Sequence, residues 1–283
     1  MIELSEIGPL KEPIVLAAFA GWNDAGESAT GVIRHLSQVW AAQEVAMVDP
    51  EDYYDFQVNR PHVVRIAGVS SIRWPSTRIL VARDTPLNRD VVLIQGIEPS
   101  VKWRSFTNEI VDYLEGLDVE MVITLGGLLA DVPHTRPIPV GVSSEEESLH
   151  SEGDEVDRST YQGPTGVIGV ISDHAHRLGL PTLSLWAGIP HYAGSSPSPK
   201  ATLSLLGRLQ DLLGIVIDDG EVTEAARAWE RGVNQLAETD DDIAEYVRAL
   251  EAQQSETELP EASGEAIARE FERYLRKRGT DPA

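Results

Sequence analysis

Apolar residues along this chain fall into short runs separated by segments with helical spacing. Ile14-Val15-Leu16-Ala17-Ala18-Phe19 has no polar interruption, as a strand covered on both faces requires. Similar runs at Glu44–Val48, Ile79–Ala82, Val91–Gln95, Met121–Leu125, Val167–Val170 and Thr182–Trp186 predict further strands. Between them the spacing predicts helices over Gly26–Trp40, Val101–Glu115, Ile171–Leu178 and Pro199–Leu213. In the second of these, Trp103, Phe106, Ile110, Val111 and Leu114 share one stripe. The alternation predicts an α/β fold with a mostly parallel sheet between helical layers.

Two stretches depart from this pattern. Ser143–Gln162 is rich in Ser, Glu and Asp and reads as an exposed loop or small polar insertion. From Asp218 the chain reads as helical only. Glu221–Ala237 and Asp240–Ala252 are amphipathic, Glu256–Glu261 breaks the pattern, and Ser263–Arg278 forms a third segment with Ser263 as its cap. The expected organisation is therefore an α/β body over 1–217 and an acidic helical extension over 218–283. The extension is either a cap on the body or an arm that binds a partner.

Charge changes the picture more than composition does. The chain of 283 residues is 42% apolar and 24% charged, ordinary for a globular protein, but its formal charge is −23. Such a chain repels phosphate backbones, so nucleic-acid binding is not expected. Residues 218–283 supply much of the excess, with 18 acidic and 8 basic side chains. There is no cysteine, which removes disulfides, thiolate catalysis and Cys-based metal sites. The start, Met1–Glu6, has no basic, apolar leader pattern, and no apolar run approaches the roughly 20 residues a bilayer span needs. A cytoplasmic protein without membrane contact is expected.

Three Gly-containing segments follow predicted strands and are candidates for chemistry. The first is Gly21-Trp22-Asn23-Asp24-Ala25-Gly26-Glu27. It sits before a helix, where backbone N–H groups attract anions. It lacks the Lys of a phosphate loop and the spacing of a dinucleotide fingerprint. Asp24 is a natural helix cap and would itself occupy the anion position. The segment therefore reads either as a capped turn with a packed Trp22 or as a ligand cradle. The second is Gly126-Gly127 with Asp131 and His134 beyond it. The Gly pair allows close approach of a ligand or a neighbouring helix, and His134 is a candidate acid–base group or an ordinary loop residue. The third is Trp186–Tyr192, holding His191 and Tyr192. In an open parallel sheet all three emerge at the carboxyl edge, where they outline either a pocket or a partner-binding surface.

Other chemistries lack support. His174 and His176 are two residues apart, so on a helix they point away from each other and share no ion. No His-Glu-x-x-His and no Gly-x-Ser-x-Gly elbow occur, and no pair of carboxylates stands out as a general acid–base couple; Ser195-Ser196 follow Gly194 without a neighbouring base. No metal and no cofactor is expected.

Phe19-Ala20-Gly21-Trp22-Asn23-Asp24-Ala25-Gly26, the Gly126-Gly127 pair and Ala187-Gly188-Ile189-Pro190-His191-Tyr192 together resemble the PAC2 family, over roughly residues 10–215. These are prokaryotic relatives of the eukaryotic proteasome assembly chaperone 2. The resemblance implies a three-layer α/β/α fold with topology like the nucleoside phosphorylases and hydrolases. It implies homo-oligomers, with trimers among bacterial members, and a chaperone role with proteasome subunits as partners. It implies no catalytic set. Some relatives dock through a C-terminal hydrophobic-Tyr-any tripeptide. This chain ends Gly279-Thr280-Asp281-Pro282-Ala283, so docking by that mode is not expected. The leading expectation is a non-enzymatic, homo-oligomeric protein binder, with Trp22, Asn23, Asp24, Gly126, Gly127, His134, His191 and Tyr192 as ligand or partner contacts. The alternative is a small-molecule enzyme acting on a nucleoside or phosphorylated metabolite in the Gly-lined edge.

Overall fold

After a two-residue strand, β1 (Ile2–Glu3), the uninterrupted apolar run becomes β2 (Ile14–Ala20), the middle strand of a nine-stranded sheet. The structure is a computed structural model that describes residues 1–146, 149, 156–194 and 197–252. Ser195-Ser196, the Glu256–Glu261 break, the helix expected over Ser263–Arg278 and the chain end lie outside the described residues. From β2 the chain continues through α1 (Ser28–Val39), β3 (Gln43–Met47), β4 (His62–Ile66), β5 (Val69–Arg73), β6 (Arg78–Ala82) and β7 (Val91–Ile97). It then forms α2 (Trp103–Glu115), β8 (Met121–Ala130), β9 (Val140–Ser143), β10 (Val156–Asp157) and α3 (Val167–Arg177). β11 (Thr182–Pro190), α4 (Pro199–Leu213), α5 (Gly220–Thr239) and α6 (Asp241–Ala252) follow.

The sheet runs β1-β3-β6-β7-β2-β8-β11-β9-β10. Its four central strands, β7, β2, β8 and β11, are parallel, and antiparallel strands extend it on both sides. β2 shows why its sequence has no alternation. Ile14, Leu16 and Ala18 face one core with α1 and α4, while Val15, Ala17 and Phe19 face the other with α2 and α3. Both faces are dry, so every position is apolar. Each fully buried Leu, Ile or Phe in these layers contributes about 2 kcal/mol relative to exposure. The expected three-layer α/β/α fold is observed.

Three expectations are corrected. Val167–Val170 is not a strand but the first turn of α3. Four apolar residues do not distinguish strand from helix; here Val167, Ile168, Ile171 and Ala175 carry on as a helical stripe into the core. The second and third Gly-containing segments are not loops after strands. Gly126-Gly127 lies inside β8 and Ala187–Pro190 inside β11, and the two pair in register, Gly126 with Trp186 and Gly127 with Ala187. The glycines are required by neighbours: a Cβ on Gly126 would lie 2.6 Å from the Trp186 ring, and one on Gly127 would lie 2.2 Å from Ser28 Oγ. The third correction is an element missed altogether. β4 and β5 form a separate two-stranded sheet joined by Ala67-Gly68, both at positive φ (49° and 83°), the geometry of a tight hairpin turn.

Within the stretch expected to be a polar insertion, Val156–Asp157 pairs with Val142–Ser143 at the sheet edge. α5 lies along α4, and α6 folds back against α5. Ala226 and Val233 of α5 and Val247 and Leu250 of α6 are buried. Among the described residues, no helix is long and apolar enough to cross a membrane.

Candidate functional site

The first candidate segment sits at the carboxyl end of β2. Its polar groups turn inward. Asn23 is buried; its side chain donates to Glu98 Oε1 at 3.1 Å, and its carbonyl accepts from Gly127 N at 2.7 Å. Glu98 Oε1 also accepts from Val167 N at 2.8 Å, so one carboxylate ties this turn to the start of α3. That start is capped by Gly166, which has no side chain to offer. Gly166 must remain glycine because a Cβ there would fall 1.7 Å from Asn23 Nδ2.

Asp24 caps α1 from a distance. A 3-10 turn over Ala25–Glu27 intervenes, so the helix begins at Ser28 and Glu27, at φ 49°, occupies the formal cap position. The Asp24 carboxylate nevertheless accepts from Ala29 N (2.8 Å), Thr30 N (3.2 Å) and Thr30 Oγ1. These are the N–H groups an anion would have used. Burial pushes the Asp24 pKa above its usual 3.8; the hydrogen bonds from Thr30 and Ala29 oppose the rise without cancelling it, and Glu27 adds to it. Trp22 is half-buried. The turn is clamped from α4 as well, where Ser198 N donates to Gly26 O at 2.7 Å.

His134, His191 and Tyr192 come together on the other side of this edge, beneath the C-terminal helices. His134 is 1% exposed. Its backbone N donates to Tyr192 Oη at 2.7 Å, its Nδ1 lies 2.7 Å from the same oxygen, and its Nε2 lies 3.0 Å from Asn234 Oδ1 on α5. The Tyr192 hydroxyl thus accepts from the backbone and meets Nδ1, while Nε2 faces Asn234. Burial, above all, holds the Tyr192 pKa up at about 12, so the hydroxyl keeps its proton. Tyr246 of α6 donates to Asp131 Oδ1 at 2.9 Å, and His191 Nδ1 lies 3.3 Å from that oxygen. The rings of His134, Tyr192, His191 and Tyr246 meet edge to face at 5.0–5.9 Å. Lys200 Nζ donates to His134 O at 2.6 Å and pairs with Glu230 of α5 at 3.3 Å. Arg136 donates to the Glu251 carbonyl of α6 at 2.5 Å.

The polar groups of this edge are engaged within the chain. His134 is sealed from solvent with both ring nitrogens engaged, and Asp24 is folded onto a helix end. Among the described residues no three His, Asp or Glu side chains cluster as a metal would need. Of the candidates, the structure brings Asn23 and Asp24 together with Gly127, and His191 together with Tyr192 and His134. Sequence reasoning missed Glu98, Lys200, Asn234 and Tyr246. Glu98 directly follows a parallel strand, β7, and the rule that such strands deliver residues to one edge could have found it. Nothing in the helical pattern of the extension marked Asn234 or Tyr246.

This fold is shared with known proteins. The family model described as the PAC2 family matches residues 18–237. The chain belongs to the PAC2 family. Its match extends past the body into α5, the helix that covers His134. A crystal structure of a PAC2 family protein from Streptomyces avermitilis is 48% identical, with a TM-score of 0.77, covering 83% of this chain and 99% of that one. A proteasome-assembly chaperone homologue from Mycobacterium tuberculosis is 41% identical over the same shares, with a TM-score of 0.74. An archaeal proteasome activator from Pyrococcus furiosus, 17% identical, shares the fold at a TM-score of 0.66, covering 83% of this chain and 97% of its own. Among curated proteins there is no significant match.

Proposed function

We propose that this PAC2 family member is a non-enzymatic, homo-oligomeric chaperone-type protein that binds other proteins, proteasome subunits first among them, in the cytoplasm. The body over 1–217 carries the fold, and the helices from 218 onward act as its cap. The observation that carries the reading is the state of the carboxyl edge. The side chains best suited to chemistry there are taken up by internal hydrogen bonds, and α5 and α6 lie over them. The family relationship to a proteasome-assembly chaperone homologue supports the same conclusion and favours proteasome subunits as partners. A small-molecule enzyme is disfavoured because two of its three supposed loops are paired strands.

Affinity capture of the tagged full chain from its source cell, followed by mass spectrometry, tests the partner. Enrichment of proteasome α subunits over an untagged control is the expected result. Repeated clean captures without them would overturn the proteasome assignment. A trimer, the state the family suggests, is checked by native mass spectrometry of the purified chain.

A further inference from the structure

The two helices that follow the body are held differently. α5 is fixed at several points. Ala226 and Val233 are buried, Asn234 meets the sealed His134, Glu230 pairs with Lys200, and just before the helix the Asp218 carbonyl lies 2.5 Å from His35 Nε2. α6 is joined to α5 through Asp240 alone, an extended residue (φ −127°, ψ 107°) between two helices. The Asp240 carboxylate accepts from Asp242 N at 3.1 Å and Ile243 N at 3.2 Å, so the hinge residue itself caps α6. A helix of 12 residues is marginal in water on its own, so α6 depends on what it lies against.

Its attachments to the body are polar and close to solvent. Tyr246 Oη donates to Asp131 Oδ1 at 2.9 Å, Thr135 Oγ1 donates to the Glu251 carboxylate at 2.5 Å, and Arg136 donates to the Glu251 carbonyl at 2.5 Å. Asp131 is 72% exposed and Thr135 is exposed. Bonds open to water contribute little each. The Tyr246 ring meets His191 at 5.0 Å and Tyr192 at 5.9 Å. Ile243, Tyr246, Val247, Leu250 and Glu251 share the covered face of α6, while Asp241, Asp242, Glu245 and Arg248 are exposed. The family match ends at residue 237. Asp131, Thr135, Arg136, His191 and Tyr192 lie within the matched stretch, and the helix lying on them comes after it.

We propose that α6 is a displaceable strap, occupying within its own chain a groove that receives a helix of a partner protein. The groove fits a helix in one direction. Arg136 meets a carbonyl of the last turn, one of those a helix end leaves open. Thr135 takes a carboxylate from that turn, and Asp131, His191 and Tyr192 take a tyrosine about one turn earlier. The partner is therefore an acidic amphipathic helix with the chemistry α6 already offers. A tethered helix competes at high effective concentration, so the strap sets a threshold that a partner must exceed. The inference rests on the protein-binding reading above and gives that reading a surface.

The test uses the full chain. In hydrogen exchange read by mass spectrometry, α6 should exchange about tenfold or more faster than α5 and the sheet. Tyr246→Ala with Glu251→Ala loosens the strap and leaves the groove intact; thermal melting confirms that the body still folds. A fluorescent peptide of residues 239–252 is the probe. It should bind this double variant about tenfold or more tighter than wild type. Adding Asp131→Ala and Thr135→Ala should abolish that binding, and so should Tyr246→Ala in the peptide. Because the chain has no cysteine, Thr135→Cys with Glu251→Cys can be bridged by a bismaleimide. The bridge should form within one chain and exclude the peptide. Exchange of α6 in step with α5 overturns the strap. A loosened variant that binds no peptide overturns the groove, and so does equal binding by the wild-type, loosened and bridged proteins. A bridge that joins two chains overturns the occupancy in cis. Capture of proteasome subunits is read separately: its failure alongside the expected peptide results removes that partner and leaves the groove.

Discussion

The carboxyl edge of the sheet and the β4–β5 hairpin are opposites. At the edge, Asn23, Asp24 and His134 are buried polar groups with partners in the same chain. On the hairpin, Val63, Ile66, Val69 and Ile72 are apolar groups left in solvent. The polar groups of the edge are held by the chain itself. Residue type alone does not say whether a group already has its partner; the tertiary structure does.

The contrast can be broken most severely by removing residues 218–283. If α5 and α6 cap the edge, His134 and Tyr192 lose their cover, and the melting temperature should fall by roughly 10 °C or more in a thermal scan. An unchanged melting temperature would make the helices an independent arm. Next comes Asp24→Ala, which leaves two buried helix N–H groups and the Thr30 hydroxyl without an acceptor. We expect a loss of about 2–4 kcal/mol by chemical denaturation.

Asp24→Asn sharpens the same point through pH. The raised pKa means that the unfolded chain releases this proton first as pH climbs above 3.8. Asp24 therefore favours the folded state fully below that value, and its contribution is lost as pH rises through the higher folded-state pKa. Asn keeps an acceptor and does not ionise, so it should remove that slope in a stability-versus-pH series and cost less than Ala. Tyr192→Phe removes one hydroxyl from the His134 network and should cost about 1–2 kcal/mol. The smallest effect belongs to the hairpin. Val63→Glu with Ile72→Glu should shift the folding free energy by no more than about 0.5 kcal/mol. A loss comparable to that of Asp24→Ala would show that the hairpin supports the body instead of projecting from it.

Legibility in the sequence followed the physics of burial. β2 was readable because both its faces are dry, and α4 because Pro199 and its apolar stripe mark both start and face. β8 and β11 were cut short because a Gly-Gly pair and an Ala-Gly-Ile-Pro run carry breaker residues. Those residues were chosen by a Trp186 ring and a Ser28 hydroxyl that arrive from elsewhere in the fold. α3 was split because its first turn and a short strand have the same composition. The hairpin did carry a signal, Ile66-Ala67-Gly68-Val69 between β-branched positions, but its exposed apolar residues did not match the pattern of a core strand.

What the sequence determined by itself is the layered α/β body, the amphipathic helices α5 and α6 and the family, because those depend on local periodicity and on a contiguous Gly-Trp-Asn-Asp-Ala-Gly run. Only the tertiary structure decided the fate of the candidate residues. Glu98 reaches Asn23 across 75 positions, and Asn234 reaches His134 across 100. Periodicity reports which face of an element is buried; it carries no record of which distant side chain will satisfy a buried polar group.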